Sequence, residues 1–235
     1  MQNILITGSN RGVGLALVNE YLGRGDFHVF AACRKPESAD DLQVVKSAYP
    51  ECMTIVQMDI NSMADISRAV VQVSEKVGQL DILINNAGIF PRDPQNTVFG
   101  SLEYDDISHV VTTNSVAPVM VTQAFADLLK NSDKGRVVMV SSQMGSITRA
   151  GSSGLSYRMS KASLNMATKV LSQMLHADGV TVITTHPGHV STDMGGSSAP
   201  TTPAQSAKGL ATVIENLSLS QSGQFFDYTG ETLPW

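Results

Sequence analysis

Short runs of aliphatic and β-branched residues recur along the 235-residue chain. They alternate with longer stretches in which apolar positions return every three or four residues. The short runs predict strands at Asn3–Ile6, Val29–Ala32, Thr54–Met58, Ile82–Ile84, Arg136–Val140, Thr181–Thr185 and Gln224–Asp227. Several are apolar throughout, the pattern of strands covered on both faces. The longer period predicts helices near Val13–Leu22, Ala39–Tyr49, Met63–Val77, Tyr104–Leu129, Ser156–Ala177 and Ala204–Leu217. Strand and helix in alternation imply an α/β class, with a doubly wound parallel sheet of about seven strands and helices on both faces. No internal repeat or linker divides residues 1–235, so the expectation is a single domain.

Composition narrows the function. The chain is 42% hydrophobic and only 16% charged, against a usual charged fraction of about 25%, which leaves a large buried interior. The formal net charge is -5 with no basic run, so nucleic acid and acidic membrane surfaces are disfavoured as partners. Cys33 and Cys52 lack metal or redox spacing and read as reduced thiols. Met1 leads directly into a strand-like run, without a charged segment and long apolar stretch of secretory type. No segment approaches the ~20 apolar residues that span a bilayer. A cytoplasmic location is expected.

The first strand runs into Thr7-Gly8-Ser9-Asn10-Arg11-Gly12-Val13-Gly14 and then a helix. Glycines at such a turn let main-chain N–H groups approach a pyrophosphate at the helix N-terminus. The spacing is neither the usual dinucleotide fingerprint nor a P-loop, and a plain tight connection remains an alternative. The second strand ends at Cys33-Arg34-Lys35, where an enzyme using NAD commonly carries an acid for the ribose 2′-hydroxyl. Arg34, with Arg11 nearby, suits a 2′-phosphate instead and points to NADP(H). A solvated basic corner is the alternative. Asp59 and Ile60 end the third strand, where the carboxylate could accept from an adenine amino group or cap a helix.

Tyr157 and Lys161 lie four residues apart, on one face of a predicted helix. Tyrosine ordinarily titrates near 10; bringing it to neutrality takes about 4 kcal/mol. An opposite charge within ~4–6 Å supplies about one to three pH units. In a pocket the pair could act as an acid–base catalyst. On a solvated surface it would do nothing.

Together these motifs resemble the short-chain dehydrogenase/reductase family over nearly the whole chain. Thr7-Gly8-x-x-x-Gly12-x-Gly14 matches the cofactor turn, Asn85-Asn86-Ala87-Gly88 the motif after the fourth strand, and Tyr157-x-x-x-Lys161 and Pro187-Gly188 the catalytic and sixth-strand motifs. The resemblance implies a Rossmann-type fold, with Asn114, Ser142, Tyr157 and Lys161 as the catalytic set. Ser142 precedes Tyr157 by fifteen residues rather than the family's usual thirteen or so; Ser146, eleven before, matches less well. By resemblance the cofactor meets Thr7, Gly8, Asn10, Arg11, Gly12, Val13, Gly14, Arg34, Asp59, Ile60, Asn86, Ala87, Gly88, Tyr157, Lys161, Pro187, Gly188, Val190 and Thr192. Asn114 would hold a water linking Lys161 to solvent. The segment His186–Gly196 and the closing Tyr228-x-Gly230-x-x-Leu233-Pro234-Trp235 are similar to sniffer-type carbonyl reductases and their C-factor relatives. A homo-oligomer, dimer or tetramer, is implied.

Each residue also has a plainer reading. Ser142 could cap a turn, Asn114 could tie its helix to a strand, and Asn85, Ala87 and Gly88 could form a simple turn. His186 reads as a strand-end residue and His189 could face the substrate; no ligand cluster surrounds either, so no metal is expected. Phe90–Gly100 and Asp193–Pro203 should shape the substrate site, with residues 193–203 as a substrate loop. Ile89, Phe90, Val98, Phe99, Met144, Met194 and Ala199 make it apolar, and only Arg92 and Arg149 could clamp a carboxylate. The leading expectation is hydride transfer from NADPH to a small-molecule aldehyde, ketone or quinone. The alternatives are a dinucleotide-binding signalling protein with little turnover, and an NAD-dependent alcohol dehydrogenase.

Overall fold

The computed structural model describes residues 1–91, 93 and 97–235. Seven strands form one sheet: β1 Gln2–Thr7, β2 Phe27–Cys33, β3 Met53–Gln57, β4 Ile82–Asn85, β5 Arg136–Val140, β6 Thr181–His186 and β7 Phe225–Asp227. Their order is β3-β2-β1-β4-β5-β6-β7, and every pairing is parallel. The order reverses between β1 and β4, and ligands of doubly wound sheets bind above such a switch point. The expected Rossmann-type sheet is therefore present.

Along β1, successive side chains enter different cores. Ile4 and Ile6 join a cluster built on helices α1 (Gly12–Arg24), α2 (Asp40–Ala48) and α8 (Pro203–Glu215). Leu5 turns the other way, toward α3 (Met63–Ser74), α5 (Ala117–Ala124) and α7 (Leu155–Met174). All three are fully buried, each worth about 1.5–3 kcal/mol relative to exposure. This two-sided burial explains why the strands read as continuous apolar runs.

Local chemistry sets the helix ends. Ser62 caps α3 by accepting from the Asp65 N–H at 3.2 Å. Thr202 and Gln205 form a reciprocal capping box on α8, with Pro203 in its first turn. The N-terminus of α1 differs: Arg11 gives it no side-chain cap and its first turn holds no acid.

One expectation needs correction. The continuous helix expected over Tyr104–Leu129 is divided into α4 (Tyr104–Val111), a π-helical segment (Thr112–Val116), α5 and α6 (Ala126–Lys130). The π-helical segment is caused by Pro118 near the start of α5. Proline has no N–H for the carbonyl four residues back, that of Asn114, and its ring crowds that carbonyl. The chain widens by one residue, so that the Ala117 N–H donates to the Thr112 carbonyl. Asn114 sits inside this widened turn, a feature common at functional sites.

Candidate active site

The cofactor turn is braced by its own polar side chains. The Thr7 hydroxyl accepts from the N–H groups of Asn86 and Ala87, each at 3.0 Å. The Asn86 amide donates to the carbonyls of Thr7 and Gly8 at 2.9 and 3.1 Å. Ser9, not singled out in the sequence, donates to the Ala32 carbonyl at 2.9 Å and ties the turn to β2. Gly14 packs so closely that a Cβ there would lie 2.2 Å from the Gly8 carbonyl oxygen. Gly12 has φ +55° and sits against Thr192, a left-handed backbone that only glycine adopts freely.

Arg11, Asn10 and Arg34 are exposed around this turn, and Val13 is half-buried. The Arg11 guanidinium pairs with Asp193 at 2.6 Å, joining the glycine turn to the first residue of the expected substrate loop. Asp59 does not cap α3; its Oδ1 accepts from the Asn61 N–H at 2.9 Å, while Ser62 takes the cap. Ile60 beside it is buried. Neighbouring Asn61 donates to Thr113 at 3.0 Å, linking the β3 end to the π-helical segment.

After β6, Pro187 accepts from Ser206 and Gly188 lies against the Tyr228 ring. Val190 forms a bridge with Thr201, closing residues 191–200 into a loop. Inside it Thr192 accepts from the Gly195 N–H at 3.2 Å. The exposed His189 ring is hydrogen-bonded to the Gly195 carbonyl at 2.8 Å. His186 is the strand-end residue expected, and burial pushes it down to about 4.

The four expected catalytic residues come together between β4, β5, the π-helical segment and α7. All are buried, with Asn114 at 0% and Lys161 at 4% exposure. Asn114 accepts from the Ile89 N–H and donates to the Ile89 carbonyl, both at 2.8 Å, and also donates to Ser160 at 3.0 Å. Ser160 in turn donates to the Tyr157 carbonyl at 2.8 Å. The Asn114 side chain is thus a structural clamp, and Ser160, which spacing alone missed, links it to the main chain at Tyr157. Gly88 lies against both Asn114 and Lys161. Asn85 turns inward to Thr122 at 3.0 Å and serves the core.

Ser142 accepts from the Met144 N–H at 3.1 Å, capping a 3₁₀ turn at Gln143–Gly145, and its side chain lies close enough to the Tyr157 phenol to oppose the effect of burial there. Ser146 is occupied elsewhere, donating to the Trp235 carbonyl; Ser142 is the serine that reaches Tyr157. Phe90 lies across the tyrosine, ring centroids 5.0 Å apart. Arg92 lies outside the described residues, with 94–96, whereas Arg149 points toward Gln143 at 3.5 Å.

The electrostatics differ from the expectation drawn from spacing. Burial pushes the Tyr157 phenol up to about 12, opposed only by its Ser142 hydrogen bond. The Lys161 ammonium lies 5.7 Å from the tyrosine ring centroid and donates to the Val140 carbonyl at 2.9 Å. Burial brings it down to about 8. Burial is the leading cause at both groups. At neutral pH the protein groups hold Tyr157 as a neutral phenol and Lys161 as a cation.

Among the described residues no group of three or more His, Cys, Asp or Glu side chains could hold a metal ion, and no helix is long and apolar enough to cross a membrane.

Known proteins share this fold. The NADPH-bound carbonyl reductase from chicken fatty liver superposes with a TM-score of 0.93 at 36% identity, over 100% of this chain and 99% of that one. The carbonyl reductase Sniffer of D. melanogaster gives 0.95 at 33% identity, over 100% of both chains. The C-signal protein of Myxococcus xanthus is 40% identical over 159 residues, 67% of this chain and 94% of that protein. The family model for short chain dehydrogenase matches residues 2–203. On these grounds the chain belongs to the short-chain dehydrogenase family.

Proposed function

We propose that this chain is an NADP(H)-dependent carbonyl reductase acting on neutral aldehydes, ketones or quinones, with Tyr157 as the proton donor. The observation that carries the reading is the burial of Ser142, Tyr157 and Lys161 together, with the Lys161 ammonium 5.7 Å from the Tyr157 ring centroid. A phenol at pH 7 is in the form that donates a proton, which reduction requires.

The residues present suit a phosphorylated dinucleotide. The uncapped N-terminus of α1 offers N–H groups and a positive dipole end to a pyrophosphate. Exposed Arg34 at the end of β2 suits a 2′-phosphate, as Arg11 would on leaving Asp193. Thr192 lies across the turn at Gly12, and it and nearby Val190 could hold the nicotinamide half. When bound, the cofactor supplies the hydride.

Ser142 would then donate a hydrogen bond to the carbonyl oxygen, stabilising the charge that develops there. Tyr157 would protonate that oxygen. Lys161, a cation below about pH 8, would favour the phenolate left behind. The Asn114 side chain is committed to Ile89 and Ser160, so its part in a proton relay falls to its main-chain carbonyl, to which Pro118 cannot donate. Phe90 and Met194 give the substrate side an apolar character, matched to uncharged carbonyls. A preference for 2-keto acids would contradict this.

The test is NADPH oxidation over a panel of quinones, aldehydes and ketones, with Tyr157→Phe run beside the wild type. Loss of about 10²–10⁴ in kcat with NADPH still bound supports the reading. A second reading, a dinucleotide-binding signalling protein, draws on the likeness to C-signal. Tight NADPH binding without turnover by the wild type would favour it.

A further inference from the structure

The chain's last residues fold back toward the active-site serine. After β7 a turn at 228–231 reverses the chain, Thr232 pairs antiparallel with Phe226, and Leu233 is buried. The Trp235 ring stacks on Phe225 at 5.4 Å and lies 5.9 Å from the Lys169 ammonium on α7. Three donors from one loop then converge on its carbonyl oxygen: the Thr148 N–H at 3.0 Å, the Thr148 hydroxyl at 2.9 Å and the Ser146 hydroxyl at 3.2 Å. That loop begins four residues after Ser142. The Ser146 N–H donates to Gln143 and the Gly145 N–H to Ser142, so the anchored residues continue directly into the serine's own turn. From the other side, Asn165 on α7 donates to the Gly145 carbonyl at 3.1 Å.

We propose that Trp235 is a positioning residue for Ser142: its anchored main-chain oxygen fixes residues 146–148 and thereby the place of the Ser142 hydroxyl beside Tyr157. The ring supplies the anchoring area and the main-chain oxygen the contact. The side chains of Ser146 and Thr148 serve this contact rather than the chemistry. The proposal rests on the carbonyl-reductase reading for its kinetic consequence, though not for its structural one.

The experiment compares wild type, Trp235→Ala, Trp235→Phe and the Ser146→Ala/Thr148→Val pair, each alone and combined with Ser142→Ala. Small misplacements of reacting groups are costly, so kcat should fall roughly ten- to a hundredfold in Trp235→Ala and in the loop pair. NADPH affinity should stay within about twofold, and Trp235→Phe, which keeps the stack, should recover most of the rate. In the Ser142→Ala background the same changes should have little further effect, because the group they position is gone. An equal fold-loss in both backgrounds would make Trp235 a general stability element and overturn the proposal, as would an unchanged kcat. Should the wild type turn over no carbonyl, the functional reading is what fails. Hydrogen exchange then decides the positioning claim: faster amide exchange confined to Gln143–Thr148 in the loop pair supports it, and unchanged exchange there refutes it.

Discussion

Asn114 grips Ile89 by both of its main-chain groups, accepting from the N–H and donating to the carbonyl, each at 2.8 Å. This reciprocal pair fixes the strand-end segment that carries Ala87 and Gly88 to the widened turn beside Lys161. Asn114→Leu keeps the branched shape, though not the size, and leaves both Ile89 groups without their partner. Stability should fall by about 2–4 kcal/mol, given the cost of an unsatisfied buried polar group. Urea unfolding at unchanged slope would measure it; a loss below about 0.5 kcal/mol would deny the clamp any weight.

Gly14 leaves no room for a methyl group. The Cβ of Gly14→Ala would meet the Gly8 oxygen and the Asn86 amide nitrogen at 2.2 and 2.6 Å. The turn must open, at a cost of about 1–3 kcal/mol. Expressed through dinucleotide binding, this is a five- to hundredfold rise in the NADPH dissociation constant by fluorescence titration.

Arg34→Asp should invert cofactor preference. On the proposed NADP(H) reading it would remove a charge-assisted contact to the 2′-phosphate worth about 1.5–3 kcal/mol and add repulsion. The ratio of kcat/KM with NADPH to that with NADH should drop by at least tenfold. An unchanged ratio would place the phosphate elsewhere.

The Lys161 ammonium, brought down to about 8, gives the reduction an alkaline limit. The cation is present below pH 8 and lost above it, so kcat/KM should fall as pH rises through about 8. Lys161→Arg keeps its charge throughout and should move that limb beyond pH 10, whatever it does to the absolute rate.

His186 sets an acid-side liability. Burial holds it near 4, with Asp227 pulling the other way and Arg149 and His189 reinforcing the fall. Between its ordinary value of about 6.5 and 4, the unfolded chain binds the proton more readily. Stability is therefore full above pH 6.5 and lost as pH falls toward 4. Wild type should lose up to about 3 kcal/mol more than His186→Gln over that window, by denaturation at several pH values.

Periodicity and β-branched runs made the sheet legible because two-sided burial leaves no polar alternation to confuse the reading. The Tyr157–Lys161 pair and glycine turn were equally plain, their spacings being local. What escaped was whatever depends on approach in space. Pro118 stands openly in the sequence, yet its effect on Asn114 shows only when the helix widens. The roles of Ser9, Ser160 and Asn165 depend on partners 20 or more residues away in three of their hydrogen bonds. The phenol's upward shift could not be read from spacing either, since it follows from how completely Tyr157 is enclosed.

The central strand has a consequence for synthesis. β1 pairs with β2 on one edge and with β4 on the other, Ile4 lying opposite Ile82. At about 5–20 residues per second on the ribosome, the interval between those residues lasts roughly 4–16 s. During it the nascent chain carries an apolar strand with one edge open, a template for pairing with other chains. The growing chain's exposure to chaperones and to self-association is thus written into the strand order: the glycine turn cannot take its final shape until Asn86 and Ala87 have left the ribosome to brace it.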